Sequence, residues 1–214
     1  YKIVPSELIT NSNHEQIANS LGETTHKGTR VYVNNLSSIK AAINSHKHGL
    51  NDKICILNFA DAYKPGGGYL NGRNSQEETI CRQTLLYPTI KNSSMYTLNS
   101  KDKKSENSDI MQYSQDVYVI RDDDYELIDE PFLINVISSS AVDNHEEYVP
   151  EANEIMEERI RKIIRLAAFK QNDVLILGAF GCGVFKNDTY QICQIFKKIL
   201  IEEGMKDYFK NVIF

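Results

Sequence analysis

Apolar positions along this chain follow two periods in turn. Lys53–Phe59 (Lys-Ile-Cys-Ile-Leu-Asn-Phe) is an unbroken apolar run of strand length, the mark of a strand buried on both faces, and Asp173–Leu177 is a second. Thr29–Val33 alternates as a strand, and Gln115–Ile120, Pro131–Ser138 and Val212–Phe214 also read as strands. Helical spacing fills the intervals. Residues 10–21 open on an N-cap signal at Thr10, Asn11 and Ser12, while Ser37–His48 puts Ile39, Ala42 and Ile43 on one face and stops at Gly49. The pattern predicts a helix over residues 75–90. Glu151–Lys170 carries Ile160, Ile163, Ile164, Ala167 and Ala168 at the positions of a core-facing stripe. A last helix opens at Asp188, capped with Gln191, and its stripe is Ile192, Ile195, Phe196, Ile199 and Leu200. Strands alternating with helices predict an α/β sheet covered by helices on both faces. Residues 91–115, rich in Asn, Ser and Lys, predict a long surface loop.

Two glycine loops leave the ends of the two buried strands. The first reads Asn58-Phe59-Ala60-Asp61, then Pro65-Gly66-Gly67-Gly68, and seven residues further on Gln76-Glu77-Glu78. The second is Gly178-Ala179-Phe180-Gly181-Cys182-Gly183-Val184-Phe185. In open α/β sheets ligands bind outside the carboxyl ends of the strands, so both loops are expected to face one crevice. Repeated glycines that bare their N–H groups suit a diphosphate. Ser75 and Glu78 also fit a capping box, so Glu78 can equally be tying down a helix start. Glu77 and Glu78 are adjacent, and on a helix their side chains diverge by roughly 100°. They cannot flank a bond as the facing carboxylates of ordinary glycosidases do. One can point into the crevice as acid and base while the other grips a sugar hydroxyl. A general acid there needs a raised pKa, which a helix N-terminus opposes, so desolvation and the neighbouring charge must outweigh the dipole.

Composition removes some classes. With 214 residues, 41% apolar and 25% charged, the chain reads as one domain over 1–214. Its net charge of −5 has no basic block beyond Lys101–Lys104, which argues against sequence-specific or duplex nucleic-acid binding. No apolar run approaches a membrane span and no leader opens the chain. Cys55, Cys81, Cys182 and Cys193 have neither zinc nor disulfide spacing and are read as reduced core thiols of an intracellular protein, cytoplasmic or nuclear. Asp122–Asp124 reads as a solvated turn and His145, Glu146 and Glu147 as a surface loop; no His and carboxylate set has ligand spacing, so no metal or other cofactor is expected. Tyr1 in place of Met, and a last strand at the final residue, read as trimmed termini.

Gly66-Gly67-Gly68, seven intervening residues and Gln76-Glu77-Glu78 match the signature of poly(ADP-ribose) glycohydrolases. The surrounding NFADAYKPGGGYLNGRNSQEETICRQTLLYP, with YVIRDDD, INVISSSAV and LGAFGCGVFKN in order, resembles the compact microbial-type members from about Asn11 onward. The resemblance implies a macrodomain, a mixed sheet sandwiched between helices. It implies Glu78 as catalytic acid and base, Glu77 holding the released ribose, and Gln76 shaping the loop. Substrate contacts are implied for Asn58, Ala60, Asp61, Gly66, Gly67 and Gly68, and on the diphosphate side for Gly181, Cys182, Gly183, Val184 and Phe185. Asp61 departs from the Asn or Ser expected there, and Lys186 replaces a small residue. The implied reaction is metal-free hydrolysis of ribose–ribose bonds from the chain terminus. The implied partners are ADP-ribose, poly(ADP-ribose) and ADP-ribosylated proteins. Two other readings stay open: release of ADP-ribose from an amino-acid side chain, and a non-catalytic ADP-ribose-binding module. A dinucleotide-dependent oxidoreductase has no GxGxxG after its first strand to support it.

Overall fold

The computed structural model describes residues 1–101, 103–145 and 147–214. Among them seven strands form one mixed sheet: β1 (Glu7–Ile9), β2 (Arg30–Tyr32), β3 (Ile54–Phe59), β4 (Met111–Arg121), β5 (Leu127–Ser139), β6 (Val174–Ile176) and β7 (Asn211–Ile213). Their spatial order is β1-β4-β5-β3-β6-β7-β2. The run from β5 through β3, β6 and β7 to β2 is parallel, while β4 is antiparallel to both β5 and β1. Both unbroken apolar runs lie inside the sheet, β3 between β5 and β6, and β6 between β3 and β7.

The alternation of β3 divides the core in two. Cys55 and Leu57 face a cluster built with Ile17, Ile160, Ile163 and Ile192, from helices α1 (Asn11–Ser20), α6 (Ala152–Phe169) and α7 (Thr189–Lys197). Ile54 and Ile56 face the opposite cluster. There α2 (Ser38–His48), α3 (Gln76–Gln83), α4 (Leu86–Ile90) and α5 (Ser94–Lys101) supply Ile39, Ile80, Leu86 and Met95. Both predicted helix stripes are buried in full. Each such isoleucine contributes about 2 kcal/mol of burial. The fold is therefore the α/β sheet covered by helices on both faces that the residue pattern predicts, and the mixed sheet that the resemblance implies.

Several expectations need correction. The single helix over 75–90 breaks at Thr84, whose extended backbone forms a bridge to Val119. Leu85 N–H then donates to Tyr118 O at 2.9 Å, and α4 begins with Pro88 in its first turn, where a missing N–H costs nothing. Residues 91–115 are not a long surface loop. Met95, Tyr96 and Asn99 of α5 are buried, and β4 starts at Met111. The short edge strand β1 carries no sequence signal of its own. Cys55 and Cys81 are core thiols, but Cys182 is only half-buried and Cys193 is exposed. Asp122 Oδ1 accepts from Asp124 N–H and Glu126 N–H at 3.0 and 3.1 Å, closing the β4–β5 turn. Of the predicted loop at His145, Glu146 and Glu147, Glu146 lies outside the described residues. No helix among the described residues is long and apolar enough to cross a membrane.

Candidate active site

The ends of β3 and β5 run level, with Asn58 opposite Ser138 and Phe59 opposite Ser139. Beyond them the two glycine loops meet across one cavity of about 380 Å³. This is within the ordinary range of small-molecule sites. Its walls include Ala60, Asp61, Gly67, Gly68, Gln76, Glu77 and Glu78 from the first loop and its helix. Gly181, Gly183, Val184 and Phe185 come from the second. Asn58, Gly66 and Cys182, which the sequence also points to, do not line it. Phe59, Arg73, Ser75, Ala141, Ala179 and Phe180 also line it, although none of them is among the substrate contacts expected from the sequence.

Gln76 fixes the start of α3 on the end of β3. Its amide oxygen accepts from Phe59 N–H at 2.8 Å and its amide nitrogen donates to Leu57 O at 2.7 Å, extending the strand's own ladder by one side chain. That placement aims the two following carboxyls back at the loop. Glu77 is 3% exposed and Glu78 5%. Glu77 Oε2 accepts from Asp61 N–H at 2.8 Å, and its Oε1 accepts from the Asn58 amide at 3.2 Å. The same Asn58 nitrogen donates to Ser138 Oγ at 2.9 Å, so Asn58 ties Glu77 to β5. Burial pushes Glu77 up from an ordinary 4.5 to about 8, against the two hydrogen bonds that favour its ionised form.

Glu78 is held between two backbone donors. Its Oε2 accepts from Ser75 N–H at 3.2 Å, completing the capping box, and its Oε1 accepts from Gly68 N–H at 2.8 Å. The capping role is thus real, and it also locks the carboxyl at the cavity wall. Gly67 lets the loop come this close. It has φ +57, and a Cβ there would stand 2.6 Å from Glu78 Oε1. Asp61 Oδ1 accepts from Tyr63 N–H and Lys64 N–H at 2.7 and 2.8 Å, so this departure from the family pattern stabilises the loop's own turn.

The second loop is tied to the end of β5 by Asn187, which the sequence does not single out. Its amide nitrogen donates to Val142 O at 2.7 Å and Gly181 O at 3.1 Å. Asn144 N–H donates to Phe185 O at 2.9 Å. The N–H groups of Gly181, Gly183, Val184 and Phe185 find no acceptor among the described residues. Donors of this kind, several in one short loop, are what anion-binding concavities are made from. Asn99 and Asn107, from the stretch expected to be a surface loop, brace the first loop. Asn99 donates to Ala62 O at 2.9 Å, and Asn107 accepts from Tyr63 Oη at 3.0 Å while donating to Ala141 O at 2.7 Å.

Two further cavities continue this one along the carboxyl ends of the strands. Ala179 lines all three; Phe59 and Gln76 are shared by the cavity of Glu77 and Glu78 and the middle one, Gly178 and Phe214 by the middle and far ones. The far one is apolar, walled by Val31, Ile192, Phe196 and Phe214. Among the described residues no three His, Cys, Asp or Glu side chains gather in a metal-holding group.

Residues 5–122 match the model of the microbial-type PARG catalytic domain. No functionally curated protein matches in sequence. Among solved structures, the poly(ADP-ribose) glycohydrolase of Thermomonospora curvata superposes with a TM-score of 0.91 at 30% identity, over 98% of this chain and 78% of that one. The same enzyme bound to the inhibitor ADP-HPD gives 0.87 at 31% identity, with the same coverage. The Deinococcus radiodurans enzyme in complex with ADP-ribose gives 0.88 at 29%, over 98% of this chain and 86% of that one. With more than half of this chain matching the family's model and 98% of it superposing on a member's structure, this chain belongs to the microbial-type poly(ADP-ribose) glycohydrolases.

Proposed function

We propose that residues 1–214 act as one catalytic domain in which Glu78 cleaves the terminal ribose–ribose bond of a poly(ADP-ribose) chain lying along the three joined cavities. The chain hydrolyses poly(ADP-ribose) to ADP-ribose. The observation that carries the assignment to this site is that two buried adjacent carboxyls share one cavity with a loop in which four amides have no acceptor among the described residues. The amides of Gly181, Gly183, Val184 and Phe185 take the diphosphate. The adenine, flat and largely apolar, lies in the far cavity beside Phe196 and Phe214. The distal ribose then rests against Glu77 and Glu78.

Glu78, in its acid form, gives its proton to the bridging oxygen as the C–O bond to the departing chain breaks. The remaining sugar carries oxocarbenium character, stabilised by the diphosphate charge. The Glu78 carboxylate takes a proton from the attacking water, whose oxygen bonds to the anomeric carbon. ADP-ribose leaves and Glu78 is again an acid. Held by Asp61 N–H and Asn58, Glu77 has no freedom to follow the reaction. It is kept largely neutral by burial, and we assign it to the ribose hydroxyls. Gly67 and Gly68 hold Glu78 in register, and Ala60 and Asp61 set the cavity floor.

The test is incubation of the protein with poly(ADP-ribose) and, separately, with a mono-ADP-ribosylated protein, resolving free ADP-ribose from protein-bound label. Release from the polymer, with the protein-attached unit retained, supports the reading. Release from the protein-attached unit alone overturns it.

A further inference from the structure

Arg73 is the only cationic side chain among the described residues that line the cavity of Glu77 and Glu78. It is exposed, and its guanidinium has no partner among the described residues. Its backbone, in contrast, is fixed. Arg73 N–H donates to Gly68 O at 3.2 Å, and Arg73 O accepts from the Arg82 guanidinium, which in turn donates to Asn74 Oδ1 at 3.2 Å. The aliphatic stem lies on the bare α-carbon of Gly68, where a Cβ would stand 2.4 Å from Arg73 Cδ. Gly68 N–H is the donor that holds Glu78. A guanidinium is therefore carried on a fixed root beside the candidate acid, with its charged head unspent.

We propose that Arg73 is a subsite for the part of the substrate that departs: it receives the diphosphate of the ADP-ribose unit on the leaving side of the cleaved bond. The inference rests on the assignment of Glu78 given above. With the terminal diphosphate on the Gly181–Phe185 amides and the distal ribose at the two carboxyls, the bond to be cut leaves the cavity past Glu78. The wall there is Gly68, Arg73 and Ser75. In a polymer, the group beyond that bond is a ribose carrying another diphosphate. In a protein bearing a single ADP-ribose it is an amino-acid side chain with no phosphate. A planar guanidinium takes phosphate oxygens in pairs and is only weakly hydrated, so it gains much from the first and little from the second. Arg73 thereby favours polymer over a lone protein-attached unit.

The experiment compares wild type with Arg73→Gln and Arg73→Lys. It measures steady-state hydrolysis of poly(ADP-ribose) at several salt concentrations, and titrates free ADP-ribose by calorimetry. R73Q should raise KM for the polymer about tenfold, with the loss carried by KM and not by kcat. It should flatten the dependence of log(kcat/KM) on log salt by ~0.7 for one phosphate contact, with R73K in between. The affinity for free ADP-ribose should stay at the wild-type value. Unchanged KM and salt slope in R73Q overturn the inference while leaving the Glu78 assignment standing. A parallel loss of ADP-ribose affinity also overturns it, because the guanidinium would then serve the terminal unit. Failure of the wild-type protein to bind ADP-ribose, or to release it from polymer, overturns both.

Discussion

Replacing Glu77 with Gln removes a titration without removing the side chain's shape. In the folded protein burial moves the Glu77 carboxyl from an ordinary 4.5 to about 8. At roughly 1.4 kcal/mol per unit, this shift represents about 5 kcal/mol. The proton's contribution to stability is fully present below about 4.5, where folded and unfolded chains both hold it. It is lost progressively as pH rises towards about 8, because over that window the unfolded chain ionises and the folded one does not. Gln has no proton to lose. Its oxygen can keep the Asp61 N–H, and its amide gains an acceptor once the Asn58 amide turns over to present Oδ1, a buried atom without a partner among the described residues. Urea denaturation of both proteins from pH 5 to 9 measures the difference, in which titrations common to the two cancel. The stability of E77Q relative to wild type should climb through this window by roughly 1.4 kcal/mol per pH unit and level off above about pH 8. A difference that stays flat from pH 5 to 9 would refute the burial argument for this carboxyl.

Other outcomes follow from the same geometry. The alkaline limb of wild-type activity should fall near pH 8 as Glu77 ionises, and E77Q should lack that limb in a pH-rate series. Gly67→Ala places a methyl where φ is +57 and Glu78 Oε1 is 2.6 Å away. It should cost about 1–2 kcal/mol in denaturant unfolding and lower kcat on polymer by about 10²-fold as Glu78 is displaced. Asn187→Ala unties the amide loop from Val142 O and Gly181 O, so it should weaken calorimetric ADP-ribose binding and destabilise by about 1–3 kcal/mol. Dialysis against EDTA should leave the rate of ADP-ribose release within about twofold of the untreated rate, since the proposed proton transfers run through carboxyls; a collapse restored by added divalent metal would contradict this.

The sequence was informative where burial or chemistry is local. Lys53–Phe59 and Asp173–Leu177 are legible because β3 and β6 have a neighbour on each side and a helix layer on each face, leaving no polar position between Ile54 and Leu57 or between Val174 and Leu177. The stripes of α6 and α7 are equally plain, since one face of each helix meets the sheet. The glycine loops and glutamates are legible because close backbone approach and proton chemistry restrict which residues serve. What was hidden depends on distant pairings. β1 is three residues whose only strand partner among the described residues is β4, about a hundred positions away. Thr84 breaks the 75–90 helix for a bridge to Val119, which no local pattern announces. The Asn- and Ser-rich stretch after Lys91 reads as loop, yet Asn99 and Asn107 spend their amides on Ala62 and Ala141 at the cavity. Polar residues that brace a buried loop look the same in sequence as polar residues in water. Cys193 follows the buried Ile192 but turns outward on the next helical step.

The central claim is that Glu78 moves the proton while the surrounding amides and apolar walls do the binding. Glu78→Gln keeps an oxygen for Gly68 N–H and so keeps the loop, giving up the longer bond from Ser75 N–H. The decisive measurement pairs ADP-ribose titration of E78Q with its rate of ADP-ribose release from poly(ADP-ribose). The account predicts binding within a few-fold of wild type and a rate lower by about 10²–10⁴-fold. Release at the wild-type rate by a variant that still binds ADP-ribose would contradict it.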